Sequence, residues 1–253
     1  IRVLAPAITD SNNDKEIKID GISPEDRKKI EYLISLPNGI VLTSGPTGSG
    51  KTSTLYSLIR TLNSEDVNIT TIEDPIEIKM DGVNQSAVNP KAGITFANCM
   101  RAILRQDPDI ILVGEIRDFE TLEVAISASL TGHLALSTIH TNSAAATITR
   151  LIEMGAKDYL ISSTVTGVIA QRLVKKLCPE CKVAYKPTVE EAKKILTNPE
   201  DIKRLTETTI YKAGGCPYCN ETGYSGRTGV FEIMLINKEM KKIKTLVFTF
   251  LLL

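Results

Sequence analysis

Tryptophan is absent from the 253 residues, and aromatic side chains of all kinds make up only 5% of them. Proteins that track single-stranded nucleic acid stack bases on aromatic platforms inside basic grooves. This chain supplies neither, because Lys+Arg and Asp+Glu number 30 each and cancel. The lysine pair Lys175 and Lys176 is too small to follow a polyanion, so any anion site must be local. Also lacking is an apolar run near the roughly 20 residues that span a bilayer. The stretch 246–253 is short and interrupted by Thr249. No basic-then-apolar leader opens the chain, which starts on Ile1, so its true start is expected upstream and export is unsupported. Low hydrophobicity with high net charge, the signature of disorder, is missing too. Hydrophobic residues at 42% and charged residues at 24% describe an ordinary folded protein, long enough for one sizeable core and a smaller appendage.

What is present follows an α/β rhythm. Ser23 and Pro24 open a helix with a capping hydroxyl and a proline in its first turn, and Pro37 stops it. Apolar runs at 40–43, 67–72, 110–113 and 134–138 read as strands, separated by helical patterns at 53–62, 95–106, 119–130 and 143–154. Strands that are apolar throughout and alternate with helices indicate a mainly parallel sheet covered on both faces. A further helix is expected from 157 to about 174, a boundary near Lys176, and a last strand at 228–236.

The segment from Gly45 to Thr52, GPTGSGKT, satisfies G-x-x-x-x-G-K-[ST] directly after a strand and at the start of a helix. Gly45, Thr47, Gly48, Ser49 and Gly50 let the backbone curl around phosphate oxygens. Lys51 reaches the outer phosphates, Thr52 ligates magnesium, and Ser53 sits in the same first helical turn. Such a loop needs a carboxylate across from it. The apolar run at 110–113 leads through Gly114, where an aspartate is usual, to Glu115 at its carboxyl end, whereas Asp109 lies at the opposite end. Glu73, past another strand in TIEDPIE, is a second candidate for activating water, and which of the two does so stays open. Asp74 and Glu77 read equally as braces of a turn.

Arg101 and Arg105, four apart on the expected helix at 95–106, share one face and read either as a phosphate clamp or as a surface row paired with acids. The two histidines bracket a strand: His140 at its carboxyl end is placed to sense a terminal phosphate, and His133 lies at the other end. Cys178, Cys181, Cys216 and Cys219 form two C-x-x-C knuckles, a donor set suited to a closed structural Zn²⁺ site. The gap between them exceeds usual ribbon spacing, so 187–205 is expected to make a helical excursion. Cys99 reads as packed.

Taken together, GPTGSGKT at 45–52, TIEDPIE at 71–77, LRQDPDIILVGEIRD at 104–118, TGHLALSTIHTN at 131–142 and AQRL at 170–173 resemble, in order, the secretion and pilus-assembly ATPase superfamily, in particular the type II secretion and type IV pilus extension motors. The resemblance covers about residues 22–236. It implies a RecA-like P-loop NTPase core with a small tetracysteine zinc module, and ATP, Mg²⁺ and Zn²⁺ as bound species. It also implies a homo-oligomer, a hexameric ring, at the cytoplasmic face of the inner membrane, partnered by platform and anchoring proteins of a secretion or pilus machine. In that likeness Glu115 is the Walker-B glutamate, Glu73 belongs to the aspartate box, His133 and His140 to the histidine box, and Arg101 and Arg105 match positions that stabilise transferred charge. The family's N-terminal domain and last helices have no counterpart here. The expected organisation is 1–36 as a linker and first helix, 37–176 as the ATPase core, 177–226 as the zinc module and 227–253 as a truncated C-terminal segment. The alternative is a nucleic-acid-associated RecA-like ATPase, since such sheets and zinc knuckles occur there as well.

Overall fold

The computed structural model describes residues 17–237. The apolar stretch at 246–253, and with it the end of the expected C-terminal segment, lies outside these residues. Within them the chain forms two compact units, 17–172 with 229–237, and Leu173–Thr228.

The elements run α1 (Pro24–Ile34), β1 (Gly39–Ser44), α2 (Lys51–Leu62), β2 (Ile69–Glu73), β3 (Val83–Ala87), α3 (Phe96–Ile103), β4 (Ile110–Val113), α4 (Phe119–Leu130), β5 (Leu134–Ile139), α5 (Ala144–Glu153), α6 (Asp158–Thr164) and β6 (Val165–Leu177). They continue with β7 (Val183–Tyr185), α7 (Val189–Lys193), α8 (Pro199–Glu207), β8 (Ile210–Lys212) and β9 (Tyr224–Leu235). Seven strands form one sheet in the order β3-β2-β4-β5-β1-β6-β9, and the pairs β2/β3, β2/β4, β4/β5, β1/β5 and β1/β6 are parallel.

Alternation along each strand feeds two cores. Val41, Leu112, Leu136 and Ile169 pack with Leu33 of α1 and with Leu55 and Leu58 of α2. Ile40, Leu42, Ile111 and Val168 face the other way, against Met100, Leu122, Leu151 and Ile161. Each such fully buried side chain contributes roughly 1.5–3 kcal/mol. Because the strands are parallel, the residues that follow β1, β2, β4 and β5 emerge on a single rim, where ligands of open α/β sheets gather.

Two expectations change, and one strand had no counterpart among them. The helix read at 157–174 ends at Thr164, and Val165 begins β6. Val165, Val168 and Ile169 are buried, so the run carries no period of two, and such runs are indistinguishable from buried helix by pattern alone. The helix read at 95–106 stops at Ile103, and Arg105 and Gln106 belong to a tight turn closed by Arg105 N–H to Ala102 O and Gln106 N–H to Ile103 O. Finally β3, with the polar sequence VNQSA, gave no apolar signal because it is only partly buried at the end of the sheet.

Candidate functional site

Ser44 ends β1, and the loop from Gly45 turns into α2 at Gly50, whose φ of +88° is left-handed. No side chain caps α2. Its first N–H groups and the helix dipole therefore face an uncapped end, the condition that favours an anion. Gly45, at φ +145°, has no room for a Cβ, which would lie 2.4 Å from the carbonyl oxygen of Gln171. Gly45→Ala is expected to cost about 1–3 kcal/mol in thermal or denaturant unfolding, because both the dihedral and the contact must give.

Lys51 is 8% exposed and its Nζ donates to the carbonyls of Gly45 (2.9 Å) and Pro46 (3.1 Å), folding over its own loop. Burial pushes its pKa below the ordinary lysine value, and Glu115 works in the opposite direction. Thr52 is half-buried, Ser49 is buried, and Thr47, Gly48 and Ser53 are exposed. This cradle fits a phosphate group, with Thr52 as the hydroxyl available to a magnesium ion.

Glu115 is fixed by the strand ends on either side of it. Gly114 N–H donates to Ile72 O at 2.7 Å, and Ile116 N–H donates to Thr138 O at 2.9 Å. A Cβ at Gly114, where an aspartate is usual, would lie 3.2 Å from Ile72 O and 3.3 Å from Glu73 Cα, a tight fit to which the β2 backbone would have to yield. The Glu115 carboxylate, 14% exposed, pairs with Arg117, and His140 Nε2 lies 3.8 Å from its second oxygen. A cavity of about 350 Å³ opens here, lined by Glu115, Ile116, Arg117, Ile139, His140 and Arg150.

Burial lowers the His140 pKa below its ordinary 6.5; Lys51 and Arg117 add to the shift and Glu115 opposes it. The imidazole is thus neutral at pH 7. Removing the one opposing charge fixes a sign: in Glu115→Gln the His140 midpoint, followed by NMR titration, should move lower still.

The other candidates are placed differently. Glu73 ends β2 on the same rim, but its buried carboxylate already accepts from three donors: the Tyr56 hydroxyl, Thr71 Oγ1 at 2.6 Å and Gln85 Nε2 at 3.1 Å. Burial and the Glu73 hydrogen bond raise the Tyr56 pKa, so the phenol stays protonated. It also accepts from the N–H groups of Glu77 (3.2 Å) and Ile78 (3.4 Å), tying the loop after β2 to α2. Arg101 forms an ion pair with Glu120 at 3.0 Å. Arg105 lies in a turn whose neighbours Gln106 and Asp107 accept from Asn68 Nδ2, at the amino ends of β2 and β4 and hence at the opposite edge of the sheet. His133 also sits at that far edge, its Nδ1 2.9 Å from Ala128 O. Lys51, Glu115, Arg117 and His140 are thus brought together; Arg105 and His133 lie at the opposite edge, and Arg101 is held by Glu120.

The sequence profile of type II/IV secretion system proteins matches residues 1–247. The chain belongs to that family. Among relatives, it is 49% identical over 223 residues to the type II secretion system ATPase E of Vibrio cholerae, covering 88% of this chain and 43% of that protein. It is equally identical over 223 residues to the type IV pilus assembly ATPase PilB of Acinetobacter baylyi, covering 38% of it. The chain thus spans less than half the length of either. Among solved structures, the pilus retraction motor PilT with bound ADP superposes with a TM-score of 0.62 at 30% identity, over 89% of this chain and 57% of that one.

In this secretion-family chain the second unit, Leu173–Thr228, carries the cysteines. Their four sulfurs all lie within 4.8 Å of one another. Sγ separations are 3.9 Å for Cys178–Cys216, 3.8 Å for Cys181–Cys219 and 3.7 Å for Cys216–Cys219. A tetrahedron with metal–sulfur bonds of about 2.3 Å has edges of about 3.8 Å, so the thiols already stand at coordinating distances. Gly223 N–H donates to Cys219 Sγ at 3.1 Å. Burial disfavours the Cys219 thiolate, but hydrogen bonds at the Cys216 and Gly223 backbone outweigh it and bring the thiol to about 6. Burial, with hydrogen bonds from the other cysteines, pushes Cys181 up to about 12. The helical excursion between the knuckles consists of α7 and α8, flanked by the paired strands β7 and β8.

Sequence patterns missed Tyr56, Gln85 and Gln171. Gln171 lies within the AQRL segment, but nothing in its spacing indicates what it touches; Tyr56 and Gln85 reach Glu73 from 17 and 12 residues away.

Proposed function

We propose that this chain is the ATP-hydrolysing core of a motor that powers type II protein secretion or type IV pilus assembly. One observation carries the reading: Glu115 stands on the carboxyl rim of the sheet, paired with Arg117, beside the neutral His140 ring and electrostatically coupled to Lys51 at the uncapped start of α2.

In this reading the N–H groups from Gly48 to Thr52 and the Lys51 ammonium bind the β- and γ-phosphates, Lys51 exchanging its carbonyl partners for phosphate oxygens. Thr52 holds the magnesium ion, which neutralises phosphate charge. Glu115 orients the attacking water and accepts its proton, yielding ADP and phosphate, while neutral His140 faces the terminal phosphate. Glu73, buried and held by three donors, supports the loop after β2 rather than activating water. Arg101 and Arg105 act at the site of a neighbouring copy. The four cysteines hold a structural zinc ion that ties the second unit together. The assembly is a homo-oligomer, a hexamer, acting at the cytoplasmic face of the inner membrane with platform and anchoring proteins. Among the described residues no helix is long and apolar enough to cross that membrane. The organisation proposed is a linker with α1, the ATPase core, the cysteine unit and a returning C-terminal strand.

Lys51→Ala removes the buried ammonium and should weaken Mg-ATP binding by about 10- to 100-fold in calorimetry. Unchanged affinity would place the nucleotide elsewhere. Added single-stranded DNA should leave turnover unaltered; salt-sensitive stimulation would favour a nucleic-acid motor.

A further inference from the structure

Gln171 follows Ala170, which pairs with Ser44 in the β1/β6 register, so it lies beside the start of the phosphate loop. It is 4% exposed. Its Nε2 donates to Ser49 O at 2.8 Å, inside the loop, while its own carbonyl oxygen stands 2.4 Å from where a Cβ on Gly45 would be. One residue thus touches the loop at its first glycine and at its fifth position. Among the described residues four buried side-chain atoms have no hydrogen-bond partner, and three of them, Ser49 Oγ, Gln171 Oε1 and Ser44 Oγ, belong to the two residues of this contact and to the residue before Gly45. Buried polar atoms without partners are uncommon. An apolar side chain would fill the same space without that penalty, so the amide contributes through the bond that Nε2 makes.

We propose that Gln171 is a positioning residue for nucleotide binding: its amide fixes the Ser49 carbonyl toward β6 and thereby aims the Gly50 N–H at the phosphates. The link is the planar trans peptide, in which C=O and the following N–H point in opposite directions. Holding Ser49 O against Gln171 turns the Gly50 N–H away from Gln171, at the residue that leads into the uncapped start of α2. A loop without this tether has to order itself when the nucleotide arrives, which lowers affinity. The inference rests on the nucleotide site proposed above.

The test uses the full chain and three variants, with Mg-ATP affinity, melting temperature without nucleotide, and hydrogen exchange of residues 45–52 measured together. Gln171→Met keeps the volume and deletes the donor; it should raise Kd about tenfold, equivalent to about 1.4 kcal/mol, and speed exchange in the loop. Gln171→Glu sets a carboxylate oxygen against Ser49 O and should raise Kd further. Gln171→Asn keeps the amide but not its reach and should behave like Met, which preserves the test should either of the others misfold. Lowered melting temperatures with wild-type Kd and wild-type loop exchange would reduce Gln171 to a packing residue and overturn the proposal. Failure of the wild-type chain to bind Mg-ATP would instead remove the nucleotide site. The exchange of residues 45–52 would still report on the tether in that case.

Discussion

Glu115→Gln is expected to reduce ATP turnover by about a hundred- to ten-thousand-fold, the range that general-base catalysis supplies, while leaving Mg-ATP affinity within a few-fold of wild type. The substitution keeps the side chain's shape and its hydrogen-bond acceptor but removes the charge that faces Arg117 and His140. Backbone position should hold, because Gly114 and Ile116 are anchored to β2 and β5 through main-chain bonds independent of the carboxylate. Glu73→Gln provides the contrast. It leaves one oxygen and converts the other into a donor facing Tyr56, Thr71 and Gln85, a buried site arranged to donate. Its effect should appear in stability as well as in rate. A rate unchanged in Glu115→Gln and abolished in Glu73→Gln would exchange the two roles.

Removing the metal from the cysteine unit is expected to unfold it locally while leaving the nucleotide unit intact. The buried residues between Leu173 and Thr228 are Cys178, Pro187, Ala192, Cys219 and Gly223. Small domains without a sizeable apolar core depend on such staples. Structural zinc sites supply roughly 10–16 kcal/mol of apparent binding energy to folding. Metal analysis of the purified protein should give about one zinc per chain. Chelation or Cys216→Ser should abolish hydrogen-exchange protection across 178–223 with little change in β1, β4 or β5. Affinity should weaken as pH falls, because burial and neighbouring thiols hold the proton on Cys181 and metal binding must displace it. A metal-free protein that retained protection across the unit would contradict the assignment.

The phosphate loop was legible because its chemistry is local: eight consecutive residues supply the turn, the cation and the hydroxyl. Glu115 and His140 were legible because apolar runs in a parallel sheet end on one rim, and each residue follows such a run. The cysteines declared themselves by spacing. What sequence could not show are contacts made between elements remote along the chain. Glu73 looked free as a base until Tyr56 and Gln85 met it from α2 and β3. Arg101 and Arg105 read either as a clamp or as a row paired with acids, and only the structure shows the helix stopping at Ile103 and Glu120 holding the first of them. Strand β6 was hidden by burial on both faces, and with it Gln171, which reads as an unremarkable polar residue until Ser49 is placed beside it.

The most direct test of the central claim is a crystal structure of the protein with Mg²⁺ and a non-hydrolysable ATP analogue. The account predicts the β- and γ-phosphates held by Lys51 Nζ and the N–H groups of Gly48 to Thr52, the ion on Thr52, and the Glu115 carboxylate facing the terminal phosphate. A nucleotide bound away from this loop, or a terminal phosphate facing Glu73 with Glu115 turned from it, would contradict it.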